Sequence, residues 1–160
     1  MSANTFAGNS ASTIRGSNRY PPSEHLLGIS AIASVNADRH RIYHALTVPE
    51  YVEAWFSAPG AIAGRTAAFA REKSFSISYC TQHQQFRIQC SYHVCRRSKL
   101  VFSWQHSALT DVAPSMVKIG LLGDFGRTIV RVTHAGLTPS DQQWHENLWA
   151  LSLMNLSKLF

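Results

Sequence analysis

The sequence predicts an α+β domain: a curved antiparallel sheet of about six strands wrapped around a long C-terminal helix, with two short helices after the first strand. Three observations carry this reading. Apolar and polar residues alternate with period two in a series of short segments. Short turn signals separate those segments, which makes consecutive strands antiparallel. Beyond Pro139 the spacing becomes helical and stays so to the end of the chain, with an apolar face wider than a surface helix needs.

The elements follow in order. Leu27, Ile29, Ala31, Ala33 and Val35 alternate with Gly28, Ser30, Ser34 and Asn36, and Ile32 interrupts the polar face. Asp38 is placed to cap a helix whose Ile42, Ala45 and Leu46 recur at helical spacing beside Tyr43. Pro49 suits the first turn of a second short helix, Glu50 to Phe56, with Glu50 and Glu53 near its positive end; Pro59, Gly60 and Gly64 break it. Phe75, Ile77 and Tyr79 form one strand face, and Phe86, Ile88, Cys90, Tyr92 and Val94 form the next, with a hairpin turn at Thr81 to Gln84. Leu100, Phe102 and Trp104 follow, then Val117, Ile119 and Leu121. Gly123, Asp124 and Gly126 mark a turn, and Val130, Val132 and His134 share a face beyond it. Thr138 or Ser140 caps the last helix, whose stripe runs His145, Trp149, Leu153, Leu156, Phe160, flanked by Trp144, Leu148 and Leu151.

Composition bounds the function. The chain has 160 residues, enough for one domain with its own core. Apolar content of 45% and a formal charge of +6 exclude a wholly disordered or fibrous chain. Residues 1–24, polar and glycine-containing, read as a flexible leader, and 25–160 as the folded domain. The leader has no apolar core of a secretory signal, and no run is long enough to span a membrane. Three cysteines, an odd count, fit a reducing compartment, so the protein is expected in the cytoplasm. Cys80, His83, Cys90, His93 and Cys95 tempt a metal reading. A hairpin at 81–84 puts Cys95 roughly 30 Å along the strand from Cys80, which separates the ligands and excludes a disulfide between them. Cys90 also has the opposite strand parity to His93 and Cys95. Arg87, Lys118 and Arg131 lie opposite the apolar faces of their strands, so the basic charge reads as a solvated outer sheet face. Scattered basic residues without a dense run do not make a nucleic-acid site.

Four motifs in order carry a family resemblance. The opening Ile32-Ala33-Ser34 through Arg41-Ile42-Tyr43-His44-Ala45-Leu46-Thr47-Val48-Pro49-Glu50 and on to Trp55-Phe56 resembles the start of the SRPBCC (START-like) superfamily. It is most similar to the branch named for the C-terminal domain of the heat-shock protein 90 ATPase activator. Lys99-Leu100-Val101-Phe102-Ser103-Trp104 resembles that branch's R-L-V-F-T-W strand. Val132-Thr133-His134-Ala135-Gly136-Leu137 resembles its turn into the last helix, and His145-Glu146-Asn147-Leu148-Trp149 with Leu153 and Leu156 resembles that helix. The resemblance covers roughly 27–160 and implies a helix-grip fold with a cavity between sheet and helix. Its relatives include lipid and sterol carriers, aromatic polyketide cyclases and chaperone-binding domains; they often dimerise, so a homodimer is compatible with it, although no exposed stripe in this sequence demands one. The family usually carries Gly where Leu148 stands, which predicts a smaller cavity here.

The candidate ligand pocket comprises Trp55, Phe56, Phe86 and Trp104 from the second helix and the sheet, with Trp144, Leu148 and Trp149 from the last helix. These side chains either line a cavity or fill it as core. His134 should point inward near the last helix, and His145 lies on that helix's stripe with Trp149; each is read as a hydrogen-bonding group for a ligand, as acid or base, or as a backbone-bonded core residue. No Ser-His-Asp or Cys-His arrangement accompanies them, so no catalytic residue is assigned, and nothing points to a metal or cofactor. The leading expectation is binding of a small hydrophobic or aromatic molecule in a continuous internal cavity, with neither nucleic acid nor membrane as partner. A cyclase- or hydrolase-like enzyme using a pocket histidine is the alternative, and a chaperone-interacting protein the third reading.

Overall fold

The computed structural model describes residues 27–62, 65–69, 73–109, 111–123 and 125–160. The leader expected over 1–24, and the turn residues Gly64 and Asp124, lie outside them. The first strand, β1 (Leu27–Val35), turns Ile29 and Val35 into the core and leaves Ile32 on the outer face, as its alternation requires. The next segment leaves the sheet at Asp38, whose carboxylate accepts the Arg41 backbone N–H at 2.9 Å and so caps α1 (Arg39–Thr47). Ile42, Ala45 and Leu46 are its buried stripe. Removing the cap by Asp38→Ala is expected to lower stability by about 1 kcal/mol with no loss of fold, read as a lower urea midpoint at unchanged slope.

Pro49 opens α2 (Pro49–Trp55). The Trp55 indole N–H donates to the Ala45 carbonyl at 2.8 Å, locking α2 against α1. Glu53 then accepts the Ala67 backbone N–H at 2.7 Å. That bond ties α2 to a short strand, β2 (Thr66–Phe69), which the alternation pattern did not predict. Only one face of β2 pairs, with β3 (Ser74–Cys80), so it is a sheet edge, and its Ala67-Ala68 centre carries no strong apolar period. The described sheet therefore has seven strands rather than about six.

From β3 the chain runs through hairpins: β4 (Gln85–Arg96), β5 (Lys99–His106), β6 (Ser115–Leu122) and β7 (Thr128–Leu137). Every pairing is antiparallel, in the order β1-β7-β6-β5-β4-β3-β2. The first and last strands are thus neighbours, and α1 and α2 carry the chain from the β1 edge to the β2 edge. The long helix α3 (Pro139–Lys158) lies across the inner face, packed against β1, β7 and α2. Arg87, Lys118 and Arg131 are exposed, as their parity requires.

Two irregularities reset side-chain parity. The register shifts between Tyr92 and Val94, so Cys95 pairs with buried Leu100 and turns to the inner side, where its Sγ lies 3.2 Å from the Tyr43 hydroxyl. Uninterrupted alternation would place Cys95 opposite to Cys90; the bulge corrects that. All three cysteines are unpaired. The second irregularity is at Gly136, with φ of 84°, where β7 shifts register against β1. It lets His134 and Leu137 both point inward although they are three residues apart, and it delivers the chain to the start of α3. Thr138 is the N-cap residue, and its hydroxyl bonds the Asp141 carboxylate rather than a backbone N–H. On α3 the stripe His145, Trp149, Leu153 and Leu156 is buried with Leu148, but Leu151 is exposed and Ser152 is buried in its place. Ser152 binds the Ser57 backbone N–H at 3.0 Å, which fastens α3 to the end of α2. No described helix is long and apolar enough to cross a membrane.

Candidate functional site

The polar chemistry of the inner face gathers where β3, β5, β6 and β7 meet the first turns of α3. His134 is fully buried. The Trp149 indole N–H donates to its Nδ1 at 3.1 Å, and an indole nitrogen can only donate, so Nδ1 is unprotonated. The proton therefore sits on Nε2, which donates to the Ser115 hydroxyl at 2.7 Å; Ser115 in turn donates to the Trp104 carbonyl at 3.3 Å. Every member of this chain is satisfied, so it is a rigid internal brace between α3, β7, β6 and β5. Burial, reinforced by nearby His145, pushes the His134 pKa down to about 3. It is neutral at any ordinary pH and has no nitrogen left to offer a substrate.

His145 is different. Its ring stands at 85° to that of His134, with centroids 4.6 Å apart. Its Nδ1–H donates to the Asp141 carbonyl at 2.8 Å, one helical turn back, so Nε2 carries the lone pair. That Nε2 is buried and has no hydrogen-bond partner, and the indole N–H of Trp104 is buried and unpartnered as well. Burial lowers the His145 pKa, against the opposing pull of the Asp141 carbonyl and carboxylate.

A third histidine, His106, ends β5. The Ala108 backbone N–H donates to its Nδ1 at 3.1 Å, which fixes the proton on Nε2, 2.7 Å from the Tyr79 hydroxyl. Nε2–H is then the donor and the tyrosine oxygen the acceptor, leaving the tyrosine's own proton free to be donated elsewhere. Burial lowers the His106 pKa and pushes that of Tyr79 up to about 12, so both are neutral at pH 7.

These groups border a cleft of about 200 Å³, open to solvent and walled by Tyr79, Phe86, His106, Leu109, Trp144 and His145, with Pro59 and Asp141 at its rim. A recess of about 20 Å³ adjoins it, sharing His106, Leu109, Asp141 and His145 with the cleft and adding Trp104, Ser115 and the loop residues Val112 and Ala113. Deeper still, between sheet and helix, the space is nearly closed. The void among Trp55, Phe56, Phe102, Trp104 and Trp149 measures about 10 Å³, too little for any ring.

Of the nine residues read from the sequence, Phe86, Trp144 and His145 border the open cleft. Trp104 stands between cleft and interior. Trp55, Phe56 and Trp149 surround the residual void, and His134 and Leu148 are fully buried away from both. The continuous internal cavity expected from the sequence is thus replaced by a packed interior and an opening at one end. Leu148 is fully buried in the same core, and the indole and phenyl rings of α2, β5 and α3 surround the little space that remains. Sequence reading missed Tyr79, His106, Ser115 and Asp141. The signal was present for three of them: Tyr79 ends the Phe75-Ile77-Tyr79 set, His106 continues Leu100-Phe102-Trp104, and Ser115 has the parity of Val117.

Solved structures with the same fold are numerous. The chain superposes on protein CV1439 from Chromobacterium violaceum with a TM-score of 0.69 at 13% identity, over 82% of this chain and 96% of that one. Protein NE0264 from Nitrosomonas europaea gives 0.64 at 18%, over 83% and 93%. CalU16 from Micromonospora echinospora gives 0.55 at 18%, over 83% and 75%. These likenesses establish a shared fold. No curated protein sequence matches the chain. A family model does match, over residues 36–160, and it takes in the α1–α2 opening, the β5 strand, the His134–Leu137 bulge and the whole of α3. On that match the chain belongs to the family of Activator of Hsp90 ATPase homolog 1-like proteins.

Proposed function

We propose that this protein binds a small hydrophobic, aromatic molecule in the cleft between the β3–β5 strand ends and the first turns of α3. The observation that carries this reading is the cleft itself. It offers about 200 Å³ of space faced by Tyr79, Phe86 and Trp144, next to a packed interior that has no such space. Aromatic walls supply contact area and ring–ring geometry, and the free proton of Tyr79 supplies a directional hydrogen bond to an acceptor on the ligand. The unpaired thiols fit a reducing, cytoplasmic setting. Acid–base catalysis has one geometric support, the unpartnered Nε2 of His145; His134, with both nitrogens committed, offers none.

The test uses the neutral fluorophore N-phenyl-1-naphthylamine. Its emission should rise on titration into the wild-type protein. Trp144 is only half-buried, so Trp144→Ala should fold normally and bind the probe about tenfold more weakly. Equal binding by the variant would place the probe elsewhere and remove the cleft as the binding site.

A further inference from the structure

We infer that the ligand of this cleft carries a hydroxyl on its aromatic system, and that the hydroxyl enters the recess between Trp104 and His145. This rests on the cleft reading above and specifies the ligand class. Trp104 Nε1 and His145 Nε2 are the two buried, unpartnered side-chain polar atoms among the described residues, and both residues border the same recess of about 20 Å³. They are complementary to each other: the indole can only donate, and Nε2, with the proton held on Nδ1 by the Asp141 carbonyl, can only accept. Their residues are 3% and 2% exposed, so bulk water does not reach them freely. Leaving such groups unpaired is costly, and the cost is recovered by whatever satisfies both.

The volume leaves room for an oxygen-sized group, a ligand hydroxyl or the single water it displaces. A recess of about 20 Å³ admits one oxygen-sized atom and no ring. A hydroxyl oxygen accepts from the indole and donates to the imidazole through a single atom. An ether or carbonyl oxygen accepts only, and would leave His145 unpaired. An alkylammonium donates only, and would leave Trp104 unpaired. The recess and the cleft share four residues, so a ring held by Phe86 and Trp144 directs its substituent inward. Two neutral histidines flank the path, which suits an uncharged phenol and not a carboxylate.

Three probes of one ring system test this: 2-naphthol, 2-methoxynaphthalene and naphthalene, titrated by calorimetry and by the indole ¹⁵N–¹H resonances. The expected result is that 2-naphthol binds about 10- to 100-fold tighter than the methyl ether. It should also move the Trp104 indole resonance downfield, while the other two leave it near its free position. Trp104→Phe should bring 2-naphthol close to the affinity of the methyl ether, and the resonance in the wild-type protein stands as the readout if that variant does not fold. Equal affinities for all three, or an unmoved Trp104 resonance with 2-naphthol bound, would overturn the hydroxyl assignment and leave the cleft reading intact. No binding by any of the three would overturn both.

Discussion

Lowering the pH from 7 to 4 should cost the fold about 3 kcal/mol through His134 alone. In the unfolded chain this imidazole titrates at its ordinary value near 6.5; in the folded protein burial holds it at about 3. Below pH 6.5 the unfolded chain therefore binds a proton that the folded chain refuses. Stability from this group is fully present above about 6.5 and falls with every unit of acidification until the folded pKa is reached. His106 and His145, both lowered by burial, act in the same direction. The structural cause is visible in the bonds of His134. A second proton would have to go on Nδ1, which already accepts the Trp149 indole N–H, so protonation places two donors face to face. Urea denaturation at pH 7 and pH 4 checks this against His134→Gln, which keeps a donor and an acceptor without a titrating group. The variant is less stable at pH 7, but its deficit should shrink by about 3 kcal/mol at pH 4. Parallel pH curves for the two proteins would remove His134 from the acid response.

That the same histidine was readable as inward from the sequence says where pattern is informative. Strand parity with Val130 and Val132 is a local property, and it survives folding because β6 and β1 pin β7 on both sides. The same holds for β1, for β4 as far as Tyr92, and for the α3 stripe. Parity fails where one residue is inserted into a strand. The bulge at His93 turns Cys95 to the inner side, and no single-residue signal announces it. β2 escaped notice because a four-residue edge strand centred on two alanines is held by Glu53 and by β3, partners that lie elsewhere in the chain.

The site was legible in part for a related reason. Trp144 and His145 lie on adjacent positions of α3, and Phe86 begins the inner face of β4, so their convergence follows from the fold. Tyr79 and His106 are the last inward residues of β3 and β5, and they become a pair only because the two hairpins place those strand ends on either side of the start of β4, close enough for the two side chains to bond. The tautomers follow from backbone groups, Ala108 N–H and Asp141 C=O, that the side-chain pattern does not encode. Whether aromatics line a space or fill it depends on their summed volume against the gap between sheet and helix. That is a three-dimensional quantity, and periodicity is silent on it.

Phe56→Ala should therefore convert the filled interior into a binding cavity, at a cost of about 3–5 kcal/mol. Phe56 is fully buried and meets Trp55, Tyr79 and Trp104 at ring-centroid distances of 6.3, 6.3 and 6.4 Å. It also borders the existing void of about 10 Å³. Removing the phenyl group enlarges that void to roughly the volume of the lost ring, lined by apolar side chains and so dry. Three of its walls, Trp55, Tyr79 and Trp104, are pinned by hydrogen bonds or by strand pairing, which limits how far they can collapse into the space. Benzene should raise the Tm of the variant in a concentration-dependent way, and by more than it raises that of the wild-type protein, whose cleft is open to it. Benzene-induced shifts of the Trp55 and Trp149 indole resonances in the wild-type protein would mean the interior is already open to a ring and that these aromatics line it. A variant whose Tm rises with benzene no more than the wild-type Tm, with a cost below about 2 kcal/mol, would mean the walls close over the gap. In the first case the packed interior would cease to separate the cleft from the sheet–helix interface, and the binding site would have to be redrawn to include Trp55, Phe56 and Trp149.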